Sequence, residues 1–183
     1  LIDSSPLLGK DNLTKVEQAI DSKNANWMAG ENPISKLSKE EFRRLLGTNT
    51  WDLPPNAEEK FIELPQADSI PANLDWRDNN GNWMTSVKNQ GGCGSCWAFA
   101  THGAFEGSYA IINSALIDSS EQDTLDCSGA GSCAGGWWAF QNLVDKGSAD
   151  EADYGYTVVK GSCKANVDRP YKAMAWGYVD SGK

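Results

Sequence analysis

Apolar residues fall at helical spacing early in the chain and in glycine-punctuated patches later. Leu13, Val16 and Ile20 recur every three or four positions, which predicts a helix over Asn12–Ser22. Ser38 precedes Glu41 by three residues, the pattern of a capping box. With Phe42, Leu45 and Leu46 as an apolar stripe, it predicts a second helix from Ser38 that stops at Gly47. Pro54, Pro55, Pro65 and Pro71 then require Asp52–Ala72 to be extended or turning, since proline lacks the amide hydrogen a helix needs. A long helix is predicted over Ser95–Asn113, with Phe99, Gly103, Glu106 and Ala110 on one face, and another over Gly136–Lys146, with Trp137, Phe140 and Val144 aligned and Gly147 closing it. Ser120-Glu121-Gln122-Asp123 ahead of Leu125 carries a capping signature for a short helix. In the turn-rich stretch from Asp150, Val158–Val159 and Ala173–Val179 read as short strands.

The 183 residues suit little more than one domain, yet they divide by composition. Residues 1–69 hold no cysteine and no histidine, whereas residues 70–183 hold all five cysteines and the one histidine. The proline-punctuated stretch between them reads as a processing linker, or as part of an N-terminal extension packed on the body. A net charge of −9 argues against nucleic acid as a partner, because binding phosphates needs a basic face. No apolar run reaches the roughly 18 residues that span a bilayer, so no membrane partner is expected. The odd cysteine count allows two disulfides in an oxidising compartment and leaves one thiol over.

Candidate chemistry concentrates in Asn89-Gln90-Gly91-Gly92-Cys93-Gly94-Ser95-Cys96-Trp97-Ala98-Phe99. A glycine-rich loop here feeds directly into a helix, with Cys96 in its first turn. Unpaired amide groups and the helix macrodipole concentrate positive potential at that end, which favours an anionic sulfur nucleophile. The same amides can stabilise an oxyanion, and Gln90 can add a side-chain donor. This is half of an acyl-transfer site.

The run resembles the nucleophile segment of papain-like cysteine peptidases, whose signature is C-G-[SA]-C-[WY]. Ile70-Pro71-Ala72-Asn73-Leu74-Asp75-Trp76-Arg77 is similar to the mature N-terminus of that family. Ser120-Glu121-Gln122 with Leu125-Asp126-Cys127 and Cys133-Ala134-Gly135-Gly136 is similar to its second cysteine region. Upstream, Asn26-Trp27-Met28-Ala29-Gly30-Glu31-Asn32 and Leu46-Gly47-Thr48 resemble the short prosegment of cathepsin B-type zymogens. The resemblance implies an α+β, papain-like fold in which only the mainly helical left domain is present (70–183), preceded by a short helical and extended inhibitory prosegment (1–69). It implies Cys96 as nucleophile, Gln90 as oxyanion donor, disulfides Cys93–Cys133 and Cys127–Cys163, and a cleft bordered by Gly94, Trp97, Gly135, Gly136, Trp137 and Trp138. Protein or peptide substrates, a secretory route to a lysosome, vacuole or the exterior, and no metal or cofactor follow from the same resemblance. The His and Asn of such enzymes lie some 130–150 residues beyond the cysteine. They are therefore expected on a complementary right domain, without which this chain is inactive. No histidine pair or extra cysteine-rich insertion stands between Lys146 and Lys183, which favours endopeptidase over dipeptide-releasing action.

His102 cannot supply the missing base. Six residues past Cys96 on one helix, it sits about 240° around and ~9 Å along the axis, so it reads as a packing or surface residue. Two rival readings of the cysteines are a C-x-x-C redox pair, Cys93 with Cys96, and a zinc site from Cys93, Cys96, Cys127 and Cys133. The polar run Trp83–Gln90 is a poor redox-fold strand, and the spacing after Cys127 is loose for zinc. Trp76, Trp97 and Trp176 read mainly as core, Glu106 as a hydrogen-bonded buried carboxylate, and Asp150-Glu151-Asp153 as a solvated turn. Asn12-Leu13-Thr14 is a formal glycosylation sequon. The alternative to a peptidase is an inactive peptidase-derived subunit with a structural or interaction role.

Overall fold

The structure is a computed structural model that describes residues 10–47, 61–62 and 71–179. The chain divides into two compact units, Leu1–Leu46 and Gly47–Lys183. Most of the proline-rich stretch, Thr48, and the expected boundary at 69/70 lie outside the described residues.

The first unit contains α1 (Lys10–Ser22) and α2 (Lys39–Leu45). Ser38 caps α2 as its sequence predicts: its hydroxyl accepts from the Glu41 amide at 3.2 Å, and the Ser38 amide donates back to Glu41 Oε2 at 2.8 Å. These bonds hold the Glu41 carboxyl below its ordinary range. The helix ends one residue earlier than expected. Leu46 is extended (φ −80°, ψ 106°), and Gly47 is not among the residues of positive φ. Gly47 is therefore not a left-handed cap, and its lack of a side chain serves another purpose described below.

In the second unit, the short parallel pair β1 (Phe61–Ile62) with β4 (Tyr178–Val179) and the antiparallel pair β2 (Gly131–Ser132) with β3 (Gly135–Gly136) accompany three helices. α3 (Cys96–Asn113) is the spine, and α4 (Glu121–Cys127) packs across it. The buried face of α3 is Trp97, Ala98, Thr101, His102, Phe105, Glu106 and Ala110. Glu106 and Ala110 of the expected face are buried, but Gly103 is exposed and His102 is buried instead, because neighbouring polar groups pair with it. Trp97, Ala98, Cys93, Leu125 and Ala139 form one apolar cluster, and Phe105, Ile117 and Leu143 a second. Trp76 is 39 % exposed rather than core, and Trp176 is half-buried, stacked on Phe140.

α5 spans only Phe140–Asp145, shorter than the predicted Gly136–Lys146. Gly136 is drawn into the β2–β3 ladder, and the Trp137 amide donates to Ala130 O at 3.1 Å, so the chain stays extended until Ala139. A side chain at Gly136 would enter the Trp97 indole, 2.5 Å from Cε2. The expected strand at Val158–Val159 is absent, since Val158 lies in the left-handed region at φ 64°.

α4 is an almost wholly buried helix that opens with four polar residues, Glu121 to Thr124, each of which has a partner. Gln122 accepts from the Thr157 amide at 2.9 Å and donates to Val159 O at 2.8 Å, while Thr124 meets His102. Arg169 forks onto Asp123, with Nη2 at 2.8 Å from Oδ1 and Nε at 2.9 Å from Oδ2. Asp123 is 1 % exposed, so removing its partner strands a charge. Arg169→Ala should therefore cost about 3–5 kcal/mol in guanidinium unfolding with the disulfides intact, and a loss under ~1 kcal/mol would show the pair is dispensable.

Candidate active site

The loop before α3 is fixed at several points. Cys93 is bonded to Cys133, and Cys127 to Cys163, leaving Cys96 as the free cysteine. The Gly94 amide donates to Cys133 O at 2.9 Å, and the Gln90 carboxamide donates to Cys93 O at 2.9 Å. Directly after them α3 begins with Cys96, half-exposed, at its first position. There the backbone N–H has no acceptor within the helix, so it points outward beside the sulfur. With three of the four proposed zinc ligands in disulfides, and Cys93 bonded to Cys133 rather than Cys96, neither rival reading of the cysteines fits the structure.

The residues named for the cleft do not all reach it. Gln90 and Cys96 share the loop, and Trp137 and Trp138 are half-buried with ring centroids 5.7 Å apart. Gly136 offers its amide to a backbone carbonyl. Trp97 does not line a cleft: it is 1 % exposed, and its indole N–H donates to Ser132 O at 3.2 Å. Its part is to hold the glycine hairpin against the start of α3. Gly135 and Gly94 are also buried.

A contact that sequence reading did not anticipate involves Gly47. Its carbonyl accepts from the Gly136 amide at 2.8 Å, and a Cβ at this position would stand 2.0 Å from Gly94 O and 2.8 Å from Cys96 Sγ. The chain at Gly47 thus passes between Gly136 and the free sulfur, too close to Gly94 O for a side chain, a passage only glycine fits.

His102 is not a base for Cys96. It is fully buried, Nδ1 lies 2.6 Å from Ser119 Oγ, and Nε2 lies 2.8 Å from Thr124 Oγ1. Ser119 Oγ spends its single hydrogen on Glu106 at 2.9 Å. His102 must then donate from Nδ1 and accept at Nε2 from Thr124, a neutral imidazole. Burial, with a smaller contribution from the Lys88 cation, holds its pKa down at about 3.

Beside it, Lys88 faces three carboxylates: Asp118 at 2.6 Å, Glu121 at 2.9 Å and Glu106 at 3.3 Å. Burial opposes the Lys88 cation, but bonds from Asp118 and Glu121 outweigh it and raise its pKa. One ammonium cannot balance three anions. Glu106 also accepts from the Ser119 amide at 2.8 Å and from Thr85 Oγ1 at 3.0 Å, and Asp118 is half in solvent. Glu121, 2 % exposed and with Oε2 unpartnered, is the one whose charged form is held least well. Burial lifts its pKa to about 7 against the Lys88 cation, which pulls the other way.

Two outcomes follow from this geometry. Unfolding without reductant should expose one thiol per chain to Ellman's reagent, mapped to Cys96; a different count or location would contradict the pairing. A carboxyl whose folded pKa is raised stabilises the fold fully below its ordinary value near 4.5 and loses that contribution as pH rises through about 7. Wild type should therefore lose stability relative to Glu121→Gln between pH 4.5 and 7.5, with His102 common to both proteins. A pH-independent difference in unfolding midpoints would contradict this.

Comparison with known proteins agrees with this loop, hairpin and helix. Residues 70–181 match the model of the papain family of cysteine proteases. Cysteine protease XCP2 of Arabidopsis thaliana is 34 % identical over 179 residues, covering 93 % of this chain and 49 % of the relative. Ananain of Ananas comosus is 36 % identical over 163 residues, covering 86 % and 46 %. The structure of digestive procathepsin L2 from Tenebrio molitor superposes with a TM-score of 0.75 at 28 % identity, over 92 % of this chain and 56 % of that one. The chain spans about half the length of these relatives. With a free cysteine opening a helix, a disulfide-pinned glycine loop and a family match over most of its second unit, this chain belongs to the papain family of cysteine proteases.

Proposed function

We propose that this chain is the prosegment and nucleophile-bearing left domain of a cysteine endopeptidase that passes through a secretory route to a lysosome, vacuole or the exterior. The observation that carries the reading is the unpaired Cys96 at the start of α3, beside Gln90. In the reaction, Cys96 sulfur bonds to the carbonyl carbon of a peptide, and the carbonyl electrons move onto oxygen, stabilised by the Cys96 N–H and the Gln90 amide. The tetrahedral adduct collapses, the C–N bond breaks, and an imidazolium protonates the departing amine. Water then attacks the thioester, with the same imidazole taking its proton, and the C–S bond breaks to release the carboxylic acid and return the Cys96 thiolate.

That imidazole comes from a complementary right domain carrying His and Asn, because His102 is buried, neutral and bonded elsewhere. The outer side of α3 supports a covering partner: Ala100, Gly103 and Ala104 are exposed, as are Ile111 at 50 % and Ile112 at 80 %. Alone, the chain is inactive by this reading.

Residues 1–69 act as the inhibitor by this reading, and Gly47 is where the prosegment crosses the nucleophile. Its backbone takes the Gly136 amide that an extended substrate would use. Two experiments test the proposal. Joined to a His- and Asn-bearing right domain and freed of residues 1–69, the protein should cleave peptide amides, with Cys96→Ala lowering kcat at least about 10³-fold; retention of activity in Cys96→Ala would sink the assignment. In the intact chain, Gly47→Leu should raise the rate at which iodoacetamide labels Cys96, and an unchanged rate would count against the inhibitory passage.

A further inference from the structure

The geometry points to Tyr156 as a positioning residue for the Gln90–Cys96 loop, acting through the segment 154–160 as a strap behind the nucleophile. This extends the peptidase reading, on which its kinetic arm rests. Tyr156 lies sixty residues downstream of Cys96, yet its hydroxyl donates to Gln90 O at 2.9 Å and meets Ser95 Oγ at 2.5 Å. The phenol has one hydrogen and gives it to Gln90, so Ser95 is the donor to Tyr156. A directed chain therefore runs from Ser95 Oγ through Tyr156 Oη to the Gln90 carbonyl. It ties the residue just before Cys96 to the residue that carries the oxyanion amide. Ser95, the residue that opens α3, makes no side-chain bond to its own helix; its hydroxyl also lies 3.5 Å from Cys93 O, and the contact with Tyr156 is the shorter of the two.

The strap is itself held rigidly. The Tyr156 ring meets Phe99, one turn beyond Cys96, edge-on at 4.9 Å, and its amide donates to Glu151 Oε1 at 2.7 Å. Gln122 of buried α4 clamps the next residues through the Thr157 amide at 2.9 Å and Val159 O at 2.8 Å. Between them Val158 is held at φ 64°, a conformation unfavourable for a β-branched residue. Its Cγ1 would be 2.6 Å from any Cβ at Gly91, so it abuts the loop backbone directly. Backbone strain maintained by surrounding bonds, at a segment braced against a nucleophile loop, is what a positioning element requires.

Tyr156→Phe removes one oxygen and keeps the ring on Phe99. In the protein joined to its right domain and freed of residues 1–69, with a fluorogenic peptide amide as substrate, kcat should fall about 10- to 100-fold while KM stays within about threefold. The melting temperature should move by no more than a few degrees. Ser95→Ala should give a similar loss, and the double variant should be no worse than Tyr156→Phe, because both cut one chain. Unchanged kcat, additive losses, or a kcat loss that disappears when the fraction folded is corrected would overturn the assignment. If wild type itself cleaves nothing, the peptidase reading has failed separately. The strap is then read from iodoacetamide labelling of Cys96 in the 183-residue chain, where a several-fold altered rate in Tyr156→Phe supports it and an equal rate overturns it.

Discussion

The Cys93–Cys133 disulfide, with the Trp97 indole seated under a glycine hairpin, is the constraint on which the rest of the site depends. It joins the loop before α3 to the turn between β2 and β3, two pieces of chain forty residues apart. Once joined, the Gly94 amide finds Cys133 O, Gly131 and Gly136 close over the indole, and the Gly136 amide donates to Gly47 O, beside the free sulfur. A larger residue at Gly136 would push the hairpin off Trp97. The placement of Cys96 is therefore set by a disulfide and an indole packed behind it.

Behind that surface the core is unusually polar. α4 buries Glu121, Gln122, Asp123 and Thr124, and the fold tolerates this because each has a partner: Lys88, the 157–159 backbone, Arg169 and His102. Such a network specifies one arrangement more sharply than an apolar core, because a shifted register would leave charges unpaired. Burial raises the Glu121 pKa to about 7, which eases the excess of carboxylates around Lys88, and His102 stays neutral beneath the loop that carries Cys96.

What could be read in the sequence was whatever lies contiguous in it. The Ser38–Glu41 capping box, the long helix opening at Cys96 and the short helix after Ser120 are local patterns and appear within a residue or two of their expected places. Gln90 and Cys96 sit six residues apart and could be named together. Glu106 and Ala110 fall on the buried face of α3 as read, but His102 was missed because periodicity counts it as polar, whereas its partners Ser119 and Thr124 arrive from residues 118–124. The start of α5 was misjudged because the Gly131–Gly136 pairing is a tertiary event that overrides local propensity. Gly47 could be read only as a helix stop and part of the Leu46-Gly47-Thr48 resemblance, and Tyr156 gave no signal: one is forty-nine residues before Cys96 and the other sixty after it. Only a folded chain brings them to the sulfur.

The central claim is that one sulfur makes and breaks the acyl bond. Trapping that bond tests it most directly: the protein joined to its right domain and freed of residues 1–69 is mixed with an activated peptide ester, quenched in acid within milliseconds, and mapped by mass spectrometry. The account predicts a stoichiometric acyl group on Cys96 that disappears on standing at neutral pH. Peptide turnover with no acyl adduct, or with the adduct on another residue, would contradict it.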